Sequence, residues 1–155
     1  MQGLVLIKAV PKMGHLSRSA NFNDAKESLM REAFLMSQFK HPNVVKFHGI
    51  CYDVPTISIV MEQCTGGSLD AHLRQWECKI TVGERILYGL ETAKGMRYLQ
   101  EKELIHRDLA TRNCLISKYG IIKISDFGLS QLATDHIDNL TKQRVTNVSI
   151  LFSHF

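Results

Sequence analysis

The 155-residue sequence predicts an α+β fold of two lobes. Short β-rich runs flank one helical stretch before residue 62, whereas the chain beyond residue 67 is mostly helical. Two stretches of capping-box type, Asp24-Ala25-Lys26-Glu27 and Thr81-Val82-Gly83-Glu84, mark helix starts. Thr65-Gly66-Gly67 breaks the chain where the two patterns meet, which puts a hinge near Glu62–Gly67.

Taken in order, Leu4–Val10 is apolar and partly β-branched and reads as a strand with Lys8 near its end. Pro11 to Phe22 is polar and reads as a loop. The Asp24 box opens a helix to about Phe39, with Leu29, Ala33 and Met36 at helical spacing. Pro42 ends it, because proline cannot continue a helix. Val44–Cys51 and Thr56–Glu62 read as strands around a turn at Tyr52–Pro55. A short helix follows at Ser68–Gln75, then a long one from Thr81 to about Gln100 with Ile86, Leu90, Ala93 and Leu99 near one face. Gly83, Gly89 and Gly95 each weaken that helix by about 1 kcal/mol relative to Ala, so it depends on tertiary packing. A short strand at Leu104-Ile105 and two more near Cys114–Ser117 and Ile121–Ser125, joined by a turn at Lys118-Tyr119-Gly120, complete the reading.

Composition removes several classes. Hydrophobic residues make up 45% and charged residues 22%, which excludes a disordered or low-complexity chain. The formal charge of +4 is spread thinly, with no basic block of the nucleic-acid type. No run approaches the ~18 apolar residues of a membrane span, and no basic region precedes the short apolar start, so the chain reads as cytosolic. Cys51, Cys64, Cys78 and Cys114 show neither C-x-x-C pairing nor histidines at zinc spacing, and read as free buried thiols.

The chemistry is concentrated in His106-Arg107-Asp108-Leu109-Ala110-Thr111-Arg112-Asn113, followed by Asp126-Phe127-Gly128. Over about Leu4 to Val148 the chain resembles the protein kinase superfamily. The resemblance implies a bilobal protein-kinase-like fold, with residues 1–62 in the small lobe, 63–148 in the helical lobe and a divergent tail at 149–155. Taken singly, Lys8 reads as a solvated charge on an edge strand and Glu32 as an exposed helix charge. The catalytic loop and the order of the elements carry the match.

That match implies roles. Asp108 accepts or orients the proton of the attacking hydroxyl. Asn113 and Asp126 are the metal ligands for Mg²⁺ on the phosphates of ATP. Lys8, fixed by Glu32, contacts the α- and β-phosphates. Leu6, Met61 and Leu115 line the adenine, and the backbone of Glu62, Gln63 and Cys64 binds its edge. His106 is a packing residue beneath Phe127, in a column with Met36 and Phe47.

Ala110 stands where serine/threonine kinases usually carry lysine, and Arg112 resembles the tyrosine-kinase substitute near the attacking oxygen. Together with His41–Cys51 and Ile59–Glu62, this places the resemblance among cytoplasmic tyrosine kinases of the Fes/Fer-like group, its nematode members above all. The implied partners are ATP and a protein substrate with an acceptor tyrosine; nucleic acid is not implied. The implied location is the cytoplasm, the periphery of the plasma membrane included.

The sequence departs from the pattern in three ways. No glycine-rich loop precedes Lys8, Leu6 replaces the motif's alanine, and no A-P-E follows the activation segment. The expectation is a kinase domain truncated at both ends, without its first two strands and later helices. It would leave Leu4–Val10 as an edge, bare the apolar face of the 81–100 helix, and show little or no turnover as an isolated chain. The alternative function is an inactive kinase or pseudokinase acting as a nucleotide- or protein-binding module.

Overall fold

The structure, a computed structural model, describes residues 5–9, 19–53 and 56–133. The activation segment and tail, most of the Pro11–Phe22 loop and the tip of the Tyr52–Pro55 turn lie outside them. The chain divides into two compact units, Met1–Lys40 with Lys46–Gln63, and His41–Val45 with Cys64–Phe155.

The first unit is an antiparallel sheet with one helix. Strands β1 (Val5–Ala9), β2 (Phe47–Asp53) and β3 (Thr56–Glu62) take the order β1-β3-β2, so β3 is central. Ile59 and Met61 of this central strand are buried. Register is fixed with Leu6 opposite Met61 and Lys8 opposite Ile59. Helix α1 (Ser19–Ser37) buries Leu29, Glu32, Ala33 and Met36, the spacing of one helical face.

Two boundaries differ from the sequence reading. Helix α1 begins at Ser19, so Asp24 is an interior residue rather than a cap. Asp and Glu three apart are equally at home on an exposed helix face, and neither Gly nor Pro stands between Ser19 and Asp24 to stop the helix. Strand β2 begins at Phe47 rather than Val44, because Val44 and Val45 belong to the second unit. There Val44 forms an isolated bridge with Ile124, and the Val45 N–H donates to the Ile124 carbonyl at 2.9 Å.

The second unit contains α2 (Leu69–Gln75), α3 (Val82–Glu101), β4 (Leu104–Ile105), β5 (Cys114–Ile116), β6 (Ile122–Ile124) and β7 (Gln131–Leu132). Both helices start at side-chain caps. Ser68 Oγ accepts from the Ala71 N–H, and Thr81 and Glu84 form the reciprocal box that the sequence predicts. Strands β5 and β6 form a hairpin whose turn uses Gly120 at φ 77°.

Of the stripe expected on α3, Leu99 is packed and the rest lies bare, as expected for the apolar face of this helix. Thr92, Gly95 and Leu99 are buried, whereas Ile86, Leu90 and Ala93 are exposed, as are Val82 and Leu87. Gly95 sets the face that packs. A Cβ there would lie 2.7 Å from the Asn43 carbonyl oxygen and 2.7 Å from Ile124 Cδ1. The helix thus meets the His41–Val45 loop and β6 through its smallest residue, which no hydrophobicity pattern reveals. Beside this contact, Asn43 Nδ2 donates to the Ile122 carbonyl and Glu91 accepts from the Ile122 N–H.

The expectation of buried thiols holds for Cys114 alone. Cys64 is half-buried and Cys51 and Cys78 are exposed, and no disulfide joins any of the four. Burial pushes the Cys114 thiol up to about 11, the pattern of an inert core thiol.

Candidate active site

Of the expected site residues, Lys8, Glu32, Leu6, Met61, Glu62 and Gln63 belong to the first unit. Cys64, Asp108, Arg112, Asn113, Leu115 and Asp126 belong to the second.

In the first unit β1 presents Lys8 and α1 presents Glu32 on its buried face. The Lys8 ammonium donates to both carboxylate oxygens at 2.8 Å. Glu32 is only 4% exposed, and a buried carboxylate without a cation would be strongly unfavourable. The pair therefore explains why an acid sits in an apolar stripe. Met61 is buried in β3, and the Glu62 N–H already donates to the Lys46 carbonyl at 2.9 Å. Gln63 Oε1 is buried without a hydrogen-bond partner among the described residues. Side-chain contacts of Leu6 lie outside the described features.

In the second unit the β5–β6 hairpin does the positioning. Cys114 pairs with Ile124, so Asn113 and Ser125 stand at the open end of the ladder. There the Ser125 N–H and hydroxyl both donate to the Asn113 carbonyl at 2.9 Å. Asp126 follows directly, in a left-handed conformation at φ 62°. Non-glycine residues adopt that region at a cost, and such residues concentrate at functional loops.

Asp108 is held from both sides. Arg112 donates to Oδ1, and Asn113 Nδ2 donates to Oδ2 at 2.8 Å. Asn113 Nδ2 also donates to the Asp108 carbonyl at 2.8 Å. Both partners of Nδ2 are acceptors, which fixes the amide orientation and makes the other side-chain atom an oxygen. A single 3₁₀ turn, Thr111–Asn113, delivers Arg112 and Asn113 at the required offset. Asp70 of α2 accepts from the Thr111 hydroxyl at 3.5 Å.

His106 is fully buried. Its Nε2 donates to the Ser125 carbonyl at 3.1 Å, and Nδ1 accepts from the Asp108 N–H. Its ring lies 5.2 Å from that of Phe127. Burial holds its pKa below the ordinary histidine value, and the neutral ring bridges two loops with both nitrogens engaged on backbone groups. Sequence reasoning missed Asp70 and Ser125, whose partners Thr111 and Asn113 lie 41 and 12 positions away and give no local signal.

The donor set suits Mg²⁺. The Asp126 carboxylate and the Asn113 amide oxygen would offer hard oxygen donors, and Mg²⁺ is commonly bound by one or two protein oxygens together with water and phosphate. Among the described residues no group of three or more His, Cys, Asp or Glu forms a metal cluster of another kind.

The model of the family "Protein tyrosine and serine/threonine kinase" matches residues 5–153, and the chain belongs to that family. It is 47% identical over 112 residues to the spermatocyte protein spe-8 of Caenorhabditis elegans, 71% of this chain and 22% of that protein. It is 39% identical over 128 residues to Fer-related kinase 1 of the same organism, 83% of this chain and 32% of that protein. Tyrosine-protein kinase Fer of Homo sapiens is 39% identical over 108 residues, 70% of this chain and 13% of its own length. The chain therefore spans a third or less of these curated relatives. No helix among the described residues is long and apolar enough to cross a membrane.

Proposed function

We propose that the chain carries the chemistry of a cytoplasmic protein-tyrosine kinase, moving the γ-phosphoryl group of ATP to a tyrosine hydroxyl of a protein substrate in intracellular signalling. The observation that supports it most is the Asp108 carboxylate, gripped at one oxygen by Arg112 and at the other by Asn113.

In this reading the substrate phenol oxygen bonds to the γ-phosphorus, the bond from the γ-phosphorus to the β,γ-bridging oxygen breaks, and ADP leaves with that electron pair. Asp108 orients the phenol and takes its proton, while Arg112 balances charge beside it. Lys8, aligned by Glu32, binds the α- and β-phosphates. Asn113 and Asp126 hold Mg²⁺, which when bound neutralises the phosphate oxygens. Leu6, Met61 and Leu115 pack on the adenine, with the Glu62–Cys64 backbone at its edge. The similar proteins Fer of Homo sapiens and Fps of avian sarcoma virus are named as tyrosine-protein kinases, which supports tyrosine as the acceptor. Arg112 supports the same assignment.

The test incubates the full chain with MgATP and a tyrosine-containing peptide beside Asp108→Asn, with nucleotide binding measured in parallel. Turnover is expected to be low, with phosphotyrosine above the variant's. Mg²⁺-dependent binding with no phosphotyrosine would favour the nucleotide-binding alternative. No nucleotide binding by a folded chain would overturn both.

A further inference from the structure

We infer that Gly66 is a positioning residue that sets the distance between the Cys64 backbone and Leu115. The inference deepens the reading of these two groups as the edge and the floor of an adenine site, and rests on that reading for its functional consequence.

Residues 64–68 lie along β5. The Gly66 N–H donates to the Ile116 carbonyl at 2.9 Å, the Ile116 N–H donates to the Gly67 carbonyl at 2.8 Å, and Ser68 bridges to Leu115. The Gly67 N–H donates back to the Cys64 carbonyl at 3.2 Å. One short ladder thus relates Cys64 to Leu115, within a single unit of the fold.

The two segments approach as closely as glycine allows. A Cβ at residue 66 would lie 2.7 Å from both Cβ and Cγ2 of Ile116 and 2.9 Å from its carbonyl oxygen. None of these atoms can swing aside, because two belong to a stiff β-branch and the third is backbone. Ile116 is held from its other side as well, buried and paired with the fully buried Ile122 of β6. The downstream end of the segment is equally fixed, since Ser68 caps α2 and Leu69 is fully buried. Thr65, Gly66 and Gly67 are exposed, so this stretch is the side that gives. Restoring an ordinary carbon–carbon separation lifts it by about 1 Å, and the lift is passed upstream to Cys64. A shift of that size spoils a hydrogen bond to the adenine edge, while Leu115 keeps its pairing with Lys123.

The experiment titrates adenosine and ATP calorimetrically into the full chain as wild type, Gly66→Ala and Gly120→Ala. Gly66→Ala should weaken both ligands by the same factor, about tenfold, and leave the ratio of ATP affinities in Mg²⁺ and in EDTA unchanged. Gly120→Ala puts left-handed strain at φ 77° into the far turn of the β5–β6 hairpin, where its Cβ meets nothing, and should lower stability without changing adenosine affinity. Wild type supplies a second measurement that needs no variant to fold. Lifting the segment and binding adenosine exclude one another, so adenosine at about ten times its Kd should slow hydrogen exchange of the Gly66 amide about tenfold and leave the Gly120 amide unchanged. With adenosine bound by wild type, equal affinity in Gly66→Ala, equal weakening in Gly120→Ala, or a Gly66 amide indifferent to the ligand would overturn the inference. A wild type that binds no adenosine would defeat the adenine reading. Faster exchange of the Ile116 amide in Gly66→Ala than in Gly120→Ala would then leave the close approach standing, and equal exchange would overturn that too.

Discussion

Replacing Lys8 by Met probes the most exposing dependency in the first unit. Met keeps the stem and removes the ammonium, leaving Glu32 buried without that partner. Breaking a buried pair by deleting one member costs about 3–5 kcal/mol. The Lys8 side chain is 43% exposed, so water screens part of the attraction, and the expected loss is nearer about 2–3 kcal/mol. Urea unfolding of the full chain, followed by helical circular dichroism, measures it. The double variant Lys8→Met/Glu32→Leu should recover most of the loss, because it removes the orphaned charge as well. A single-variant loss below about 0.5 kcal/mol, or a double variant no better than the single, would refute the claim that this ion pair compensates a buried acid.

Gly95→Ala should destabilise by about 1–3 kcal/mol in the same assay despite alanine's higher helix propensity, because the added Cβ meets the Asn43 carbonyl and Ile124 at 2.7 Å. Glu103→Gly should stabilise by about 1 kcal/mol, since Glu103 sits at φ 57° just past the C-terminus of α3, where glycine adopts the left-handed conformation freely. The pKa of His106 is lowered mainly by burial, and that of His41 by burial and then by Arg97 and Lys123. Unfolding raises both toward about 6.5, so the unfolded chain binds more protons; their contribution is full above about pH 6.5 and is lost as pH falls toward the lowered folded values. Urea midpoints should therefore drop from about pH 7.5 to about pH 5.5, less steeply in His41→Asn, and an equally steep drop in that variant would count against the His41 assignment.

What could be read from the chain alone followed from local rules. The Thr81 box, the Lys118–Gly120 turn and the Thr56–Glu62 strand depend on residues close in sequence, and all three form. The 106–113 loop was recognised by its resemblance to the kinase motif, and the structure adds that Asp108, Arg112 and Asn113 interact within five residues. Features set by distant contacts were not. The packed face of α3 depends on Asn43 and Ile124 approaching Gly95, and the diversion of Val44 and Val45 from β2 depends on Ile124. Glu32 was recognisable only by resemblance, because an isolated helix gives no reason to bury a carboxylate until Lys8 is beside it. The hydroxyl bonds of Ser125 and Ser130 required coordinates, since they answer the Asn113 and His106 carbonyls 12 and 24 positions away.

The most direct test of the phosphoryl-transfer account is calorimetric titration of ATP into the full chain, with Mg²⁺ and with EDTA, in wild type and Asp126→Ala. Wild type should bind at least about tenfold more tightly with Mg²⁺, and the substitution should abolish that difference. Saturable binding that is indifferent to Mg²⁺, or a Mg²⁺ effect that survives Asp126→Ala, would contradict it.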